Sequence, residues 1–240
     1  MELSDRLQAV ADLVTPNLVI ADVGTDHGYV PIYLVRNEII PRAIAMDINE
    51  GPLERAAAHI RAYHLESKIR TLLSDGMKEL EQGEADAVIL AGMGGGLMLR
   101  ILEESKEIVK GMKECILQPQ TELYRVREYL VKEGFDFLEE RMVLEDGKYY
   151  PMMKVKPSNG DRDKLCGRME SWNEAELTYG RLLIQQKNPV LMEYLMRERG
   201  VKRRIQRQLQ NQNTAAAAVR MRELEQELQL IEETIRSMTT

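Results

Sequence analysis

Three aspartates, Asp22 in VIADV, Asp47 in AIAMD and Asp75 in LLSDG, each close a short apolar run, and the first is followed by a turn bounded by Gly24 and Gly28. Carboxylates at successive strand ends beside a glycine turn are the groups from which a nucleoside pocket is built. Glycine accepts positive φ and lets the backbone approach a ligand where a Cβ would collide. Asp26 lies inside the turn and Asp22 just ahead of it. Acids here would repel the pyrophosphate of a dinucleotide at close range, so they suit a ligand that is neutral or cationic at this point. S-adenosylmethionine, with its sulfonium and ammonium groups, is the common nucleoside cofactor of that description. Asp47 follows Gly24 by 23 positions, near the spacing at which a strand-end carboxylate accepts hydrogen bonds from two ribose hydroxyls. Asp75, at the next strand end, is placed to accept from an adenine amino group.

These acids need a sheet to hold them, and the chain supplies the pattern for one. Ser4 to Leu13 reads as a first helix with Leu3, Leu7, Val10 and Val14 on one face. Strands are expected at Val19 to Val23, Ile44 to Asp47, Ile69 to Ser74, Ala87 to Ala91 and a run ending at Ile116 to Gln118. Helical segments follow them: one from Val30 with Pro31 in its first turn, one from Asn49 and Pro52 to about His64, one beginning at Leu97, and one carrying Leu123, Val126 and Leu130. Strand and helix alternate five times, which predicts a mostly parallel α/β sheet with right-handed crossovers. Phe135 to Leu144 and Tyr149 to Val155 then flank Glu145-Asp146-Gly147 with no room for a helix, a β-hairpin. A parallel sheet ending in an antiparallel hairpin is the layout of Rossmann-like methyltransferases and not of ordinary dehydrogenases.

At the fourth strand end stands AGMGGG, Ala91 to Gly96, where such enzymes hold the group to be methylated; its four glycines would let the backbone approach a planar base. No Asn-Pro-Pro-aromatic run, the usual grip on an exocyclic amine, is present there. Its absence favours a ring nitrogen as nucleophile.

The succession DVGTDHGYVPIYL, AMDIN, LLSDG, VILAGMGGG, LQPQ and YYPMMKVK resembles the bacterial tRNA adenine-N1 methyltransferases of the TrmK type, which modify adenine 22. The resemblance covers about Met1 to Lys156, with a helical tail of the expected kind after it. It implies S-adenosylmethionine as cofactor, with contacts falling on Gly24, Asp26, His27, Gly28, Tyr29, Asp47, Asp75 and Gly76, and on Asp22, Ile48, Asn49, Ala91 and Gly92 within the same motifs. The target base is then expected near Met93, Gly94 and Gln118, with Asp26 placed to stabilise developing positive charge. Displacement by a ring-nitrogen lone pair needs positioning more than a strong base.

Pro157 to Trp172 is turn-rich and reads as a linker between residues 1–156 and a helical domain at 173–240. In the tail, Leu224, Leu228, Ile231, Ile235 and Met238 form an a/d seam, Val201, Ile205 and Leu209 a matching edge, and NQNT, Asn211 to Thr214, a turn between them: a coiled-coil hairpin. The chain carries a formal net charge of −6, yet Arg181 to Arg207 alone is +6, so −12 falls on the rest. A basic stripe on an acidic protein is an electrostatic footprint for phosphates, and Arg197, Arg199, Lys202, Arg203, Arg204 and Arg207 are the candidates for RNA contact.

With 240 residues, 30% of them charged, and a mean hydropathy of −0.37, no stretch is membrane-like. The start MELSDRLQAV lacks the basic and apolar succession of a signal peptide, and Cys115 and Cys166 make no metal-ligand spacing with His27, His59 or His64. A reduced cytoplasmic setting without membrane or metal partners is expected. Two other functions fit the residues: a methyltransferase of the same fold acting on a small molecule or a protein, and a non-catalytic RNA-binding scaffold.

Overall fold

The computed structural model describes residues 1–157, 172–210 and 214–239. The chain divides into two compact units, Met1–Ser171 and Trp172–Thr240.

In the first unit the helices are α1 (Asp5–Ala11), α2 (Tyr29–Arg36), α3 (Glu50–Ala62), α4 (Gly95–Glu104), α5 (Lys106–Lys110) and α6 (Leu123–Lys132). The strands are β1 (Ile20–Val23), β2 (Ala43–Asp47), β3 (Ile69–Leu73), β4 (Ala87–Met93), β5 (Glu114–Pro119), β6 (Asp136–Glu145) and β7 (Lys148–Lys156). They form one sheet in the order β3-β2-β1-β4-β5-β7-β6, with β7 antiparallel to both its neighbours and the other pairs parallel. This is the α/β, Rossmann-like arrangement expected from the sequence.

Helices cover both faces, so the central strands read as continuous apolar runs. Along β4, Val88 and Leu90 join the core that includes Met98, Leu102, Val126 and Leu130, whereas Ala87 and Ile89 join the opposite layer of Val10, Leu13, Ile32 and Leu34. Strand order reverses between β1 and β4, and in open α/β sheets the crevice outside the carboxyl ends at such a point is where ligands bind. Asp22 stands at that edge, paired in register with Ala45 on one side and Ile89 on the other.

The β6–β7 turn uses Asp146 (φ 50°) and Gly147 (φ 73°), the two positive φ values that match a two-residue turn to the twist of the strands. Its second strand inserts between β5 and β6, while Arg127 Nε donates to Glu140 Oε1 at 2.9 Å in a buried pair that ties α6 to β6.

The second unit contains α7 (Glu174–Tyr179), α8 (Arg181–Gln185), α9 (Pro189–Leu209) and α10 (Ala215–Thr239). Asn173 and Glu176 close a capping box on α7, and Asn188 accepts from the N–H groups of Val190 and Leu191 with Pro189 next to it. The apolar seam differs in detail from the sequence reading. On α10, Leu224, Leu228, Ile231 and Met238 are buried, but Thr234 takes the place expected for Ile235; its hydroxyl donates to the Leu230 carbonyl at 2.7 Å, so its burial leaves no orphan donor. On α9 the buried residues are Leu191 and Leu195, whereas Val201 is exposed and Ile205 and Leu209 are half-buried. Position 202 instead lays its lysine stem along the interface, its ammonium 2.5 Å from Glu227. Most of the linker expected at 157–172 and the turn Asn211 to Asn213 lie outside the described residues. No described helix is long and apolar enough to cross a membrane.

Candidate functional site

Gly24 ends β1 at φ +79°, and its N–H and that of Thr25 both donate to the Met46 carbonyl at 2.9 Å. A Cβ on Gly24 would come within 3.2 Å of Met93 Cε. The turn is thus fastened to β2 and pressed against β4. His27 (φ 62°) and Gly28 (φ 67°) are both left-handed, Gly28 as the N-cap of α2. A cavity of about 280 Å³ opens between the ends of β1 and β4, lined by the sequence-expected Asp22, Gly24, Asp26, His27, Tyr29, Ala91 and Gly92, together with Arg6 and Thr25.

The two acids of this loop have different environments. Asp26 is 63% exposed at its side chain, and its Oδ1 accepts from Arg55 Nη2 at 2.9 Å, so the charge assigned to it is already paired. Asp22 is buried, with Oδ2 accepting from the Thr25 hydroxyl at 2.7 Å. Burial pushes its pKa up to about 6; the Thr25 bond opposes the shift and the charge of Asp47 adds to it. Of the two, Asp26 has a cation beside it and Asp22, among the described residues, has none.

A raised carboxyl pKa means the folded chain holds a proton that the unfolded chain releases between about pH 4 and 6. Asp22 then destabilises the ligand-free fold above pH 6, and stability from this group is regained as pH falls through 6 towards 4. At about 1.4 kcal/mol per pH unit the full effect is roughly 3 kcal/mol. In Asp22→Asn, the difference in unfolding free energy from wild type is expected to shrink by that amount between pH 7 and pH 4; a pH-independent difference would show that Asp22 ionises normally.

Asp47, Ile48, Asn49, Asp75 and Gly76 do not line this cavity; they sit at the ends of β2 and β3. Asp47 Oδ1 accepts from the Asn49 N–H at 2.8 Å and from its Nδ2 at 3.2 Å, which fixes the carboxylate. Ile48 is 57% exposed, a large apolar surface beside that acid. Asp75 is held between Lys78 Nζ (2.5 Å) and Arg100 Nη2 (3.2 Å), one cation on each oxygen.

The glycine run after β4 serves packing as much as access. Gly92 (φ +81°) sits between Ala91 and Met93, where the β4–β5 register shifts. Gly95 is buried and Gly96 exposed, and the N–H groups of both are already engaged, donating to Thr121 Oγ1 (3.2 Å) and Glu122 Oε2 (2.7 Å). A Cβ on Gly95 would lie 2.5 Å from the Thr121 carbonyl oxygen. Gly95→Ala is accordingly expected to lower stability in chemical denaturation by about 1 to 3 kcal/mol, the range for forcing a methyl group into filled space.

Gln118 also departs from the expectation of a base contact. It is fully buried, and its Oε1 accepts from Arg6 Nη1 and from the Gly92 N–H, both at 3.1 Å. Its amide holds the cleft wall in place instead of entering it. Met93 ends β4 and Gly94 is the N-cap of α4; neither is among the residues lining the cavity.

Sequence reasoning missed Arg6, Thr25 and His59. Arg6 lies far from every motif. Thr25 sat inside the quoted loop, and a hydroxyl three residues after a buried acid was the signal for it. His59, from α3, stacks with His27 (centroids 5.2 Å apart) and Tyr29 (5.5 Å), and His27 with Tyr29 at 5.1 Å and 6°, giving a three-ring stack beside the cleft mouth.

The six candidate RNA-binding residues all lie on α9, and they divide by partner. Lys202 and Arg203 are paired with Glu227 and Glu232 of α10. Among the described residues Arg199 Nη2 meets only the Met196 sulfur at 3.1 Å, Arg207 Nε only the Arg203 carbonyl at 3.4 Å, and Arg204 makes no ion pair. Arg197 is exposed.

The chain matches the methyltransferase-domain family over residues 3–153. It is 34% identical over 236 residues, 98% of each chain, to the tRNA (adenine(22)-N(1))-methyltransferase of Bacillus subtilis. The crystal structure of that enzyme, called TrmK, superposes with a TM-score of 0.82 over 98% of this chain and 99% of its own. A putative tRNA (m1A22) methyltransferase from Streptococcus pneumoniae, solved in complex with S-adenosyl-L-methionine, is 28% identical, with a TM-score of 0.83 over 98% of this chain and all of its own. A glycine turn pressed between β2 and β4, a buried acid under it and a match along the whole chain agree: this protein belongs to the tRNA (adenine(22)-N(1))-methyltransferase family.

Proposed function

We propose that this chain transfers a methyl group from S-adenosylmethionine to N1 of adenine 22 in tRNA. The observation that carries the proposal is the buried Asp22 beneath the Gly24 turn, in a chain that matches the Bacillus subtilis enzyme from end to end. The residues fit the cofactor. Asp22 answers its positive charge, the space a Cβ would fill at Gly24 is left to it, Asp47 accepts from the ribose, Ile48 offers an apolar face to the adenine, and Asp75 has lone pairs left for the adenine amino group.

When bound, the cofactor supplies an electrophilic methyl group on its sulfonium. The attacking N1 already carries a free lone pair and the methylated base is a cation, so the chain needs no strong base. Its residues orient the base against the wall of Met93 and Gly94, which Gln118 braces, and Asp22 lowers the energy of nearby positive charge. N1 lies on the Watson–Crick edge, so a paired or stacked adenine must first be exposed. We assign cofactor and base to residues 1–156 and the grip on the RNA backbone to the helical domain at 173–240, joined by 157–172, with α9 and α10 pairing as a coiled-coil hairpin. The reaction belongs in the cytoplasm with its substrate.

The test is incubation with labelled S-adenosylmethionine and tRNA from a strain lacking the modification, followed by nucleoside analysis. The expected product is 1-methyladenosine at position 22 and no N6-methyladenosine, with a single-stranded oligonucleotide of the same local sequence reacting at least about tenfold more slowly. N6-methyladenosine would overturn the nucleophile, and equal rates on the oligonucleotide the role of the helical domain.

A further inference from the structure

Gln120 follows β5 at the cleft end of the sheet, two residues beyond Gln118. Its backbone is pinned there, the N–H donating to the Met93 carbonyl at 2.9 Å. Alternate residues of an extended chain share a face, and both glutamines meet Gly92. Gln118 does so by accepting its N–H, and Gln120 by Nε2, which stands 4.0 Å from where a Cβ on Gly92 would lie. Gly92 lines the cavity between β1 and β4, and its missing Cβ leaves the space beside the Gln120 amide open. The two amides are used differently. Gln118 is buried, with Oε1 taken by Arg6 and Gly92. Gln120 is exposed, and among the described residues its side chain makes no hydrogen bond.

A free amide offers an acceptor and a donor side by side. Adenine presents their complement on its N6/N7 edge, an amino donor beside a ring acceptor, whereas guanine sets two acceptors there. Methyl transfer to N1 occupies the Watson–Crick edge, so the N6/N7 edge is the side from which the base can be read while it reacts. We propose that Gln120 is the specificity-determining residue for the target base, Oε1 accepting from the adenine amino group and Nε2 donating to N7, with the base edge over Gly92. Gln118 then braces the wall and Gln120 reads from it. The proposal rests on the methyl-transfer reading above.

The test is methylation of full-length tRNA carrying adenine or 7-deazaadenine at position 22, with kcat/KM measured for wild type, Gln120→Leu and Gln120→Glu. Exchanging N7 for C–H also alters the reactivity of N1, equally for every enzyme, so the quantity compared is the ratio of adenine to 7-deazaadenine. The wild-type ratio should exceed that of Gln120→Leu by roughly 5- to 10-fold, the effect of one hydrogen bond whose donor is left facing a C–H. Gln120→Glu turns an acceptor towards N7, so its ratio should fall below that of the leucine variant. S-adenosylmethionine affinity in calorimetry should be the same in all three. Equal ratios in wild type and Gln120→Leu would overturn the proposal, and so would a glutamate variant with the wild-type ratio. A variant that loses cofactor affinity with its ratio unchanged would make Gln120 a structural residue instead. No methyl transfer by wild type to adenine 22 would sink the methyl-transfer reading, and this assignment with it.

Discussion

Alanine at Arg199, Arg204 and Arg207 together is expected to lower affinity for tRNA roughly 100-fold at physiological salt while leaving S-adenosylmethionine affinity unchanged. Each phosphate contact releases condensed counterions and adds about 0.7 to 0.9 to the slope of log affinity against log salt, so three lost contacts flatten it by about 2 to 3. These three arginines are chosen because their described partners are a thioether, a backbone carbonyl and none. Lys202 and Arg203 serve as the internal comparison. Their charges are paired with Glu227 and Glu232, so Lys202→Ala should loosen α9 from α10, at about 1 kcal/mol or less, and change the salt slope little. A triple variant with the wild-type slope would take the RNA grip away from α9.

The second large effect is at the ribose. Asp47→Ala should weaken S-adenosylmethionine by about 1.5 to 3 kcal/mol, roughly 10- to 150-fold, the range for hydrogen bonds to a charged acceptor. The geometry sharpens the test, because Oδ1 is occupied by Asn49 and only Oδ2 has no protein partner among the described residues. Asp47→Asn keeps an oxygen for Asn49 and turns the other atom into a donor. It should therefore bind almost as poorly as alanine with the local turn intact. Wild-type calorimetric affinity in the asparagine variant would remove Asp47 from the site.

The parts of this chain legible from sequence are those where local pattern and tertiary demand coincide. β1, β4 and β5 are covered on both faces, so they appear as unbroken apolar runs. Asp146-Gly147 announces its turn because few residues accept those φ values. Illegible were the choices made by neighbours distant in sequence. Asp22 and Asp26 look alike in DVGTDHG, and the Arg55 that pairs the second lies 29 residues on, while the first is buried. Gly95 looks as free as Gly92 until the Thr121 carbonyl occupies its Cβ position. Gln118 lies near the end of β5 as expected, yet its burial could not be read from LQPQ, because the partners that hold it come from α1 and from Gly92. Helical periodicity was nearly right for α10 and wrong for Val201, since a lysine stem fills an interface as an aliphatic residue does.

The place of β7 between β5 and β6 orders events on the ribosome. Once Pro119 has left the ribosome, β5 is the open edge of a nascent sheet, and Cys115, Ile116 and Leu117, fully buried in the finished protein, border that edge. The next strand to emerge, β6, does not pair with it; the partner of both is β7, which ends at Lys156. At about 5 to 20 residues per second, the edge stays unpaired for roughly 2 to 7 s of synthesis. A ribosome stalled anywhere in that interval therefore presents an apolar strand edge able to recruit a neighbouring nascent chain, whereas a stall after the hairpin does not.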